Sequence, residues 1–173
     1  GQLEYYEKLW NGKKSIYQDY EVTKKHILSL HNFVESHAKR KTLTHIDAVP
    51  DNFMIQNLEN GKQDIRLIDW EYAGMQDPDL DIAMFSIYSL YERDQIDNLI
   101  SIYYENKVDL VTKYKIYAYV AIAGLLWSNW CEYKRLLGVD FGEYSLKQYR
   151  YAKVYYRIVQ DEYLSHQKGE NHE

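Results

Sequence analysis

Two short β-type runs joined by an Asn-Gly turn restrict most strongly what this chain can fold into. The sequence changes character over residues 40–69, where KTLTHIDAVPDNFMIQ and QDIRLIDWEY are connected by NLENGK, which contains Asn60-Gly61. Asn-Gly between apolar runs is a strong β-hairpin signal, because both residues adopt positive φ readily. One small hairpin therefore has to be accommodated in a core built by the rest of the chain.

The sequence on both sides of this β-element is helical by pattern. Apolar residues recur at helical spacing, with charged residues on the opposite face. Predicted helices cover residues 2–12, 14–39, 79–92, 94–106, 112–137 and 145–164, and the tail after Ser165 is expected to fray. The predicted fold class is α+β, mostly helical.

Composition narrows the class of protein. With 173 residues, 46% hydrophobic and 27% charged, the chain can form one globular domain or part of a larger one. A net charge of −5 argues against a nucleic-acid binder, which needs a basic surface. A single cysteine, Cys131, excludes an internal disulfide and is typical of a reducing compartment, so we expect a cytoplasmic protein.

No sequence feature predicts membrane insertion. The opening GQLEYYEKLW has neither the basic start nor the apolar middle of a secretory leader. The longest apolar run, IYAYVAIAGLLW, is shorter than the roughly 20 residues that span a bilayer. We interpret it as a buried helix.

Polar residues at the hairpin carry the functional signal. His45, Asp47 and Asn52 have the H-x-D-x-x-x-x-N spacing of a phosphoryl-transfer catalytic loop, and Asp69 ends the apolar run one hairpin later. In such loops the first Asp accepts the proton of the acceptor hydroxyl, while the Asn and the second Asp bind magnesium. Any one of these residues is more often a turn cap or a strand end. Together, at this spacing, they predict phosphoryl transfer.

THIDAVPDNFM followed by IRLIDWEYAGMQDPDLDIA resembles the choline/ethanolamine kinase family, within the aminoglycoside-phosphotransferase-like kinases. The similarity is greatest to the bacterial choline kinases of phosphocholine decoration, and it extends to GLLWSNW and YRYAKVYYR, over nearly the whole chain. The IDWEYAG run carries more of it than the loop, because protein kinases have Asp-Phe-Gly there. The resemblance implies a protein-kinase-like C-terminal lobe with a small β-hairpin element carrying the catalytic loop.

The same resemblance implies roles for individual residues. It makes Asp47 the catalytic base, Asn52 and Asp69 ligands of Mg²⁺, and Glu71 an accessory carboxylate near the metal. His45 would brace the loop. ATP is the implied co-substrate and choline the implied acceptor, so the expected partners are a small molecule and a nucleotide.

An aromatic pair is the candidate acceptor pocket. Trp127 and Trp130 are three residues apart, so both rings project from one face of the predicted helix. Such a pair is most often core, but the resemblance implies that these rings face the choline head group, and aromatic faces suit a quaternary ammonium without N–H groups. Gly124 is expected to leave space beside the rings. Tyr88 is a further candidate, in a helix where eukaryotic relatives have an acidic residue.

A complete kinase of this family also has a smaller N-terminal lobe, with a phosphate-covering loop and a lysine on a strand. This chain has no Gly-rich phosphate loop, and nothing before residue 40 is β-like. We therefore expect residues 1–173 to be the C-terminal lobe, with the N-terminal nucleotide lobe absent and little or no activity in isolation.

The predicted reaction is ATP plus choline to phosphocholine plus ADP, with magnesium. One alternative is a kinase for another small alcohol or amine, such as ethanolamine or an aminoglycoside. A Trp-lined site argues against aminoglycosides, whose N–H-bearing ammonium groups favour carboxylates. The other alternative is a non-catalytic kinase-like binding module, against which the intact Asp47, Asn52 and Asp69 argue. Oligomeric state and nucleotide preference stay open.

Overall fold

The hairpin predicted from Asn60-Gly61 forms. In the computed structural model, which describes residues 1–39 and 41–170, strand β2 (Phe53–Asn57) pairs antiparallel with strand β3 (Gln63–Leu67). Gly61 lies in the connecting turn with φ +75°, a backbone conformation that glycine adopts without steric cost. The turn chemistry of the sequence therefore sets the register of this ribbon.

A second ribbon goes beyond the sequence prediction. Strand β1 (Thr42–Thr44) matches the expected β-type segment before the motif, but its partner is β4 (Gly74–Gln76), antiparallel to it. The short GMQ segment has no alternating pattern to predict a strand. The two ribbons form separate two-stranded sheets.

Helices make up most of the remaining chain, which confirms the α+β, mostly helical fold class. They are α1 (Gln2–Leu9), α2 (Tyr20–Ser29), α3 (His31–Ser36), α4 (Asp79–Tyr88), α5 (Arg93–Tyr103), α6 (Leu110–Leu136), α7 (Glu143–Val159) and α8 (Ser165–Glu170). A 3-10 turn covers Pro50–Asn52, and a π-helical turn covers Gln160–Leu164. In the part of the chain that the structure describes, no helix is both long enough and apolar enough to cross a membrane.

The chain divides into two compact units. The first combines Gly1–His37 with the chain from Asp109 onward, and its core is α6, which contacts α1, α2, α3 and α7. Asp109 caps α6 by accepting a hydrogen bond from the Thr112 backbone N–H at 2.6 Å. The apolar run of α6 is buried as predicted; its fully buried residues include Ile116, Tyr117, Ala118, Val120, Ala121 and Leu125.

The second unit, Ala38–Val108, contains both ribbons together with α4 and α5. The two helices contact each other and bury Ile82, Ile87, Ile96 and Ile100. All motif residues at the hairpin belong to this unit. A small helix pair thus supports the ribbons that present them.

Four predicted helices are too long. Those over residues 79–92 and 94–106 end at Tyr88 and Tyr103. The helix predicted from residue 2 ends at Leu9 rather than at residue 12, because Asn11 and Gly12 have positive φ (52° and 76°) and cannot continue a right-handed helix. The prediction of one helix over residues 14–39 is wrong at both ends and in the middle. It is split between α2 and α3, starts only at Tyr20 and ends at Ser36.

The late start of α2 has a tertiary cause. Ser15 Oγ donates to Glu132 Oε1 at 2.6 Å, and the Ile16 backbone N–H donates to Glu132 Oε2 at 2.9 Å. Because the buried carboxylate on α6 satisfies these groups, the segment does not need helical hydrogen bonds. Periodicity in residues 14–19 could not predict a partner more than 110 positions away.

The chain end differs from expectation as well. Fraying is expected after Ser165, but Ser165–Glu170 is helical and continues from α7 through the π-helical turn. Residues 171–173 lie outside the described residues.

Candidate active site

The catalytic-loop motif follows β1 in a backbone conformation that few residues adopt. Ile46 has φ +70°, which is a genuine outlier for a β-branched side chain. The Asp81 carboxylate accepts the His45 backbone N–H at 3.0 Å and the Ile46 N–H at 2.8 Å. Two charge-assisted hydrogen bonds from α4 therefore hold the strained turn just before Asp47.

Asn52 contacts Asp47 through its side-chain amide. Nδ2 donates to the Asp47 carbonyl oxygen at 2.8 Å and to the carboxylate Oδ2 at 3.3 Å. A carbonyl oxygen can only accept, so the amide nitrogen must face Asp47 and the amide oxygen must point the other way. Within the described residues that oxygen accepts no hydrogen bond, which leaves it available to a ligand.

His45 connects the loop to the segment that carries Asp69. The ring is buried, and its Nε2 donates to the Ile68 carbonyl oxygen at 2.9 Å, while the Ile68 N–H donates to the Asn52 carbonyl oxygen at 2.9 Å. The peptide groups of Ile68 are thus bonded on both sides just before Asp69. Asp69 itself has φ +63° and is exposed. Hydrogen bonds therefore join Asn52 to Asp47 and fix Ile68, the residue before Asp69, to the same loop. We call this arrangement the loop frame.

Carboxylates converge at this frame. The charge of the neighbouring Glu71, and to a smaller extent those of Asp47 and Asp69, raise the pKa of the exposed Tyr72 phenol. Glu71 is itself exposed. One phenol thus lies within electrostatic range of three carboxylates, which are close to one another in this part of the unit.

The donor chemistry fits magnesium. Asn52 offers a carboxamide oxygen, and Asp69 and Glu71 offer carboxylates, which are the hard oxygen ligands that this ion prefers. Among the described residues no three His, Cys, Asp or Glu side chains are arranged to hold a metal by themselves. Such a partial shell is typical of magnesium sites that waters and nucleotide phosphates complete.

The tryptophan pair lies in the other unit, on α6. The ring centroids of Trp127 and Trp130 are 5.9 Å apart, with planes inclined by 20°, and both side chains are half-buried. Phe141 lies against Trp130 at 5.0 Å, and the Lys134 Nζ is 5.4 Å from the same ring. The rings therefore share one face of the helix, and one of them already accommodates a cation of the chain itself.

Gly124 does not leave space beside the tryptophans, so that expectation is wrong. A Cβ at this position would lie 2.7 Å from Tyr151 Cβ and 2.8 Å from the Gln148 carbonyl oxygen, both on α7. The glycine allows α6 and α7 to approach closely. Tyr88 is the half-buried last residue of α4, in the unit that carries the catalytic loop.

Asp81 is a site residue that the spacing of the motif does not predict. It lies in the DPDLDIA run of the family resemblance, 36 residues from His45. Its place in that run is the one sequence signal that could have identified it. Tyr72 lies in the IDWEYAG run, and the motif spacing does not predict a role for it either.

Comparison with known proteins places these residues in a family context. The family model described as choline/ethanolamine kinase matches residues 3–115. A curated protein of Haemophilus influenzae, Protein LicA, is 28% identical over 110 residues, which cover 60% of this chain and 39% of that protein.

Solved structures match more of the chain. The choline kinase LicA from Streptococcus pneumoniae superposes with a TM-score of 0.70 at 28% identity, covering 90% of this chain and 53% of that one. A structure of LicA in complex with AMP gives a TM-score of 0.72 at 29% identity. A choline/ethanolamine kinase family protein from Mesorhizobium loti, at 20% identity and a TM-score of 0.73, shares the fold. The chain spans about half the length of these solved relatives.

Proposed function

Because this chain belongs to the choline/ethanolamine kinase family, we propose that it is the lobe of a choline kinase that carries the catalytic loop and part of the acceptor site. In the proposed reaction the choline hydroxyl oxygen bonds to the γ-phosphorus of ATP, and the bond from that phosphorus to the β–γ bridging oxygen breaks. The products are phosphocholine and ADP, and the hydroxyl proton passes to a carboxylate.

The observation that carries this proposal is the hydrogen-bonded loop of Asp47 and Asn52, to which Ile68, the residue before Asp69, is also bonded. Phosphoryl transfer needs positioning and charge neutralisation more than a covalent nucleophile. Asp47 is half-buried and oriented by Asn52 Nδ2, so it is suited to orient the acceptor hydroxyl and accept its proton. A degenerate, non-catalytic module would have no need to keep two strained residues, Ile46 and Asp69, in place.

Magnesium is the proposed metal, with ATP as co-substrate. The Asn52 carboxamide oxygen and the Asp69 carboxylate would bind it, and Glu71 would add negative charge nearby. When bound, the ion neutralises phosphate charge. The similarity to a protein solved in complex with AMP supports a nucleotide partner.

Choline is the proposed acceptor. Trp127 and Trp130 offer aromatic faces, which attract a quaternary ammonium through their ring quadrupoles. Tyr88 and Tyr72 are further candidates for contact with the head group, and Tyr72 lies within range of three carboxylates. The similarity to the S. pneumoniae relative, which is described as a choline kinase, supports choline rather than ethanolamine as the proposed acceptor. The buried single Cys131 and the use of ATP fit a cytoplasmic enzyme.

The proposed active enzyme is longer than this chain. Because the chain spans only about half of its solved relatives, we propose that an N-terminal lobe supplies the rest of the nucleotide site. We call this proposed longer protein, in which an N-terminal lobe precedes Gly1, the extended polypeptide. The 173-residue chain alone should give negligible turnover.

An acceptor panel tests the proposal. The extended polypeptide is incubated with Mg²⁺ and γ-labelled ATP, and with choline, ethanolamine or an aminoglycoside in turn. We expect label in phosphocholine, less in phosphoethanolamine and none in the aminoglycoside. Preferred phosphorylation of ethanolamine would show that ethanolamine, rather than choline, is the acceptor. Phosphorylation of none of them, by a folded protein that binds nucleotide, would refute the kinase assignment.

A further inference from the structure

One tryptophan of the candidate acceptor pocket has a cation of the chain beside it. The Lys134 Nζ lies 5.4 Å from the centroid of the Trp130 ring, within the roughly 6 Å over which an ammonium is attracted to an aromatic ring. Both residues are on α6, four positions apart, so they are neighbours on one side of the helix. Both side chains are half-buried. In the ligand-free chain, this ring therefore already interacts with a positive charge.

The ring is the partner that the structure gives to the Lys134 ammonium. Lys39 and Lys153 also approach aromatic rings, but each of them forms an ion pair as well, with Asp79 and Asp19 respectively. Among the described residues, Lys134 forms no ion pair, and its ammonium donates no hydrogen bond. The ammonium of Lys134 is thus held at the ring by the cation–π contact and not by a carboxylate.

Leaving the ring costs this lysine little. Lys134 lies in the last turn of α6, where the free carbonyl groups of the helix end favour a cation in several positions of the side chain. A lysine ammonium is also a compact and strongly hydrated charge, so water replaces the contact readily. A quaternary ammonium has no N–H groups to hydrate and is the better partner for an aromatic ring.

We propose that Lys134 is an internal competitor of the acceptor: its ammonium occupies Trp130 in the empty site, and the quaternary ammonium of the acceptor displaces it. This inference rests on the proposed function, because that function supplies the charge of the acceptor. While Lys134 covers the ring, the acceptor cannot use it, so the apparent affinity falls with the fraction of molecules in which the ring is free. Lys134 thereby sets the acceptor concentration at which the site fills.

Three variants of the 173-residue chain separate this role from a structural one. Lys134→Met keeps an unbranched apolar side chain without the charge, and Lys134→Arg keeps a cation at the ring. Lys113→Met is the matched control, because the Lys113 Nζ lies 5.5 Å from the ring of Tyr117, on the same helix and at the same spacing. That pair is about 20 Å from the tryptophans, at 1.5 Å per residue along the helix.

Tetramethylammonium chloride is the probe, because it carries the cationic group and no hydroxyl. Binding to the parent chain and to each variant is followed by NMR through the indole N–H signals of Trp127 and Trp130. Sodium chloride at equal ionic strength is the blank, and circular dichroism first shows that each variant is folded. In the ligand-free parent, the ring current of Trp130 should move the Lys134 Cε proton signals upfield, and the probe should return them to the position of a free lysine.

We expect Lys134→Met to bind the probe about 3- to 6-fold more tightly than the parent, the gain from removing a weak, partly exposed cation–π competitor. Lys134→Arg should bind no more tightly than the parent, and Lys113→Met should bind equally. Equal affinity of the parent and Lys134→Met, or Lys134 signals that the probe does not move, would overturn the inference and leave the proposed function in place. A probe that shifts neither indole signal in any variant would overturn both the inference and the choline assignment.

Discussion

Ile46 and Asp69 are the two residues whose backbone conformation most needs an explanation. Positive φ costs of the order of 1–3 kcal/mol for a residue other than glycine, and more for a β-branched one than for Asp. Both lie within one residue of a hydrogen bond made by His45 or Asp81. The strain is therefore maintained by a buried network rather than by the local sequence.

Asp81→Asn tests that network. An amide has only one acceptor oxygen, so one of the two backbone N–H groups would lose its partner and face an NH₂ donor. In the extended polypeptide we expect kcat to fall by about 10²-fold, the scale of a small misplacement of a reacting group, with a smaller change in choline KM. In the chain alone, the Ile46 amide should exchange with deuterium faster than in the parent.

Asp64→Asn is the matched control, because Asp64 makes only a surface contact to Arg66 Nε, at 2.9 Å on the hairpin. Its kcat and the Ile46 exchange rate should stay at parent values. An Asp81→Asn variant that behaves like this control would show that the carboxylate does not position the loop.

Residue spacing was sufficient to predict Asp47, Asn52 and Asp69 as candidate site residues. Two of them lie in one short loop, and the third follows the apolar run of the next strand. Spacing could not predict Asp81, because a partner 36 positions away is chosen by the tertiary fold. The same limit explains Glu132, whose contact with Ser15 and Ile16 replaced the predicted start of a helix.

Among the elements, the contact between α6 and α7 depends on Gly124. Ala is the better helix former by about 1 kcal/mol, but its Cβ would meet Tyr151 Cβ at 2.7 Å and the Ala152 nitrogen at 3.0 Å. Backbone atoms cannot rotate away as a side-chain end can. Overpacking of this kind typically costs about 1–3 kcal/mol, so the two helices must separate or bend.

We therefore expect Gly124→Ala to lower the Tm of the 173-residue chain by about 2–12 °C, from the cost of about 1–3 kcal/mol and the usual shift of roughly 2–4 °C per kcal/mol at this size. Gly74→Ala is the control, because a Cβ there has as its nearest neighbour only Gln76 Nε2, at 3.5 Å. A Gly124→Ala variant that melts at or above the parent temperature would contradict the close contact of the two helices.

Substitution of Trp127 and Trp130 on α6 tests whether the pair binds choline or has a purely structural role. Replacing both with Leu keeps apolar bulk and removes the negative ring faces. Two cation–π contacts of roughly 0.5–2 kcal/mol each correspond to a rise in choline KM of about 5-fold to nearly 1000-fold. Nucleotide KM in the extended polypeptide should change little.

Trp10→Leu serves as the structural comparison, since Trp10 is buried and its Nε1 donates to the Asn129 carbonyl oxygen at 3.1 Å. This variant should lower the Tm without a selective effect on choline. If the double Leu variant behaves in the same way, the pair is part of the core and choline loses its main physical support.

The ends of the helices and strands show which features of the fold a local sequence pattern cannot predict. The buried α6 and the hairpin were predicted correctly, because a long apolar run favours a buried helix and an Asn-Gly turn favours a hairpin. Helices α1 and α4 end close to single residues with positive φ, Asn11 and Leu90. The periodicity of apolar residues does not predict a positive φ. Strand β4 forms by pairing with β1, and the GMQ segment has no sequence pattern of its own that predicts a strand.

In the molecule as a whole, the proposed site residues are divided between two units of the chain. The unit of residues 38–108 carries the catalytic loop and the candidate magnesium ligands, and the other unit carries the tryptophan pair. The family match spans residues 3–115 and thus includes the entire catalytic unit. Neither unit contains a phosphate-covering loop by sequence, which is why the proposed enzyme needs the extended polypeptide.

Turnover by Asp69→Asn in the extended polypeptide is the decisive measurement for the kinase assignment, because the change removes a proposed magnesium ligand at nearly constant volume. Phosphocholine formation at saturating Mg²⁺, ATP and choline is measured for the parent, for Asp69→Asn and for the surface control Asp64→Asn, with Tm recorded for each. We expect Asp69→Asn to abolish detectable turnover with an unchanged Tm, while the control keeps parent activity. Turnover by Asp69→Asn within a few-fold of the parent would contradict the kinase assignment.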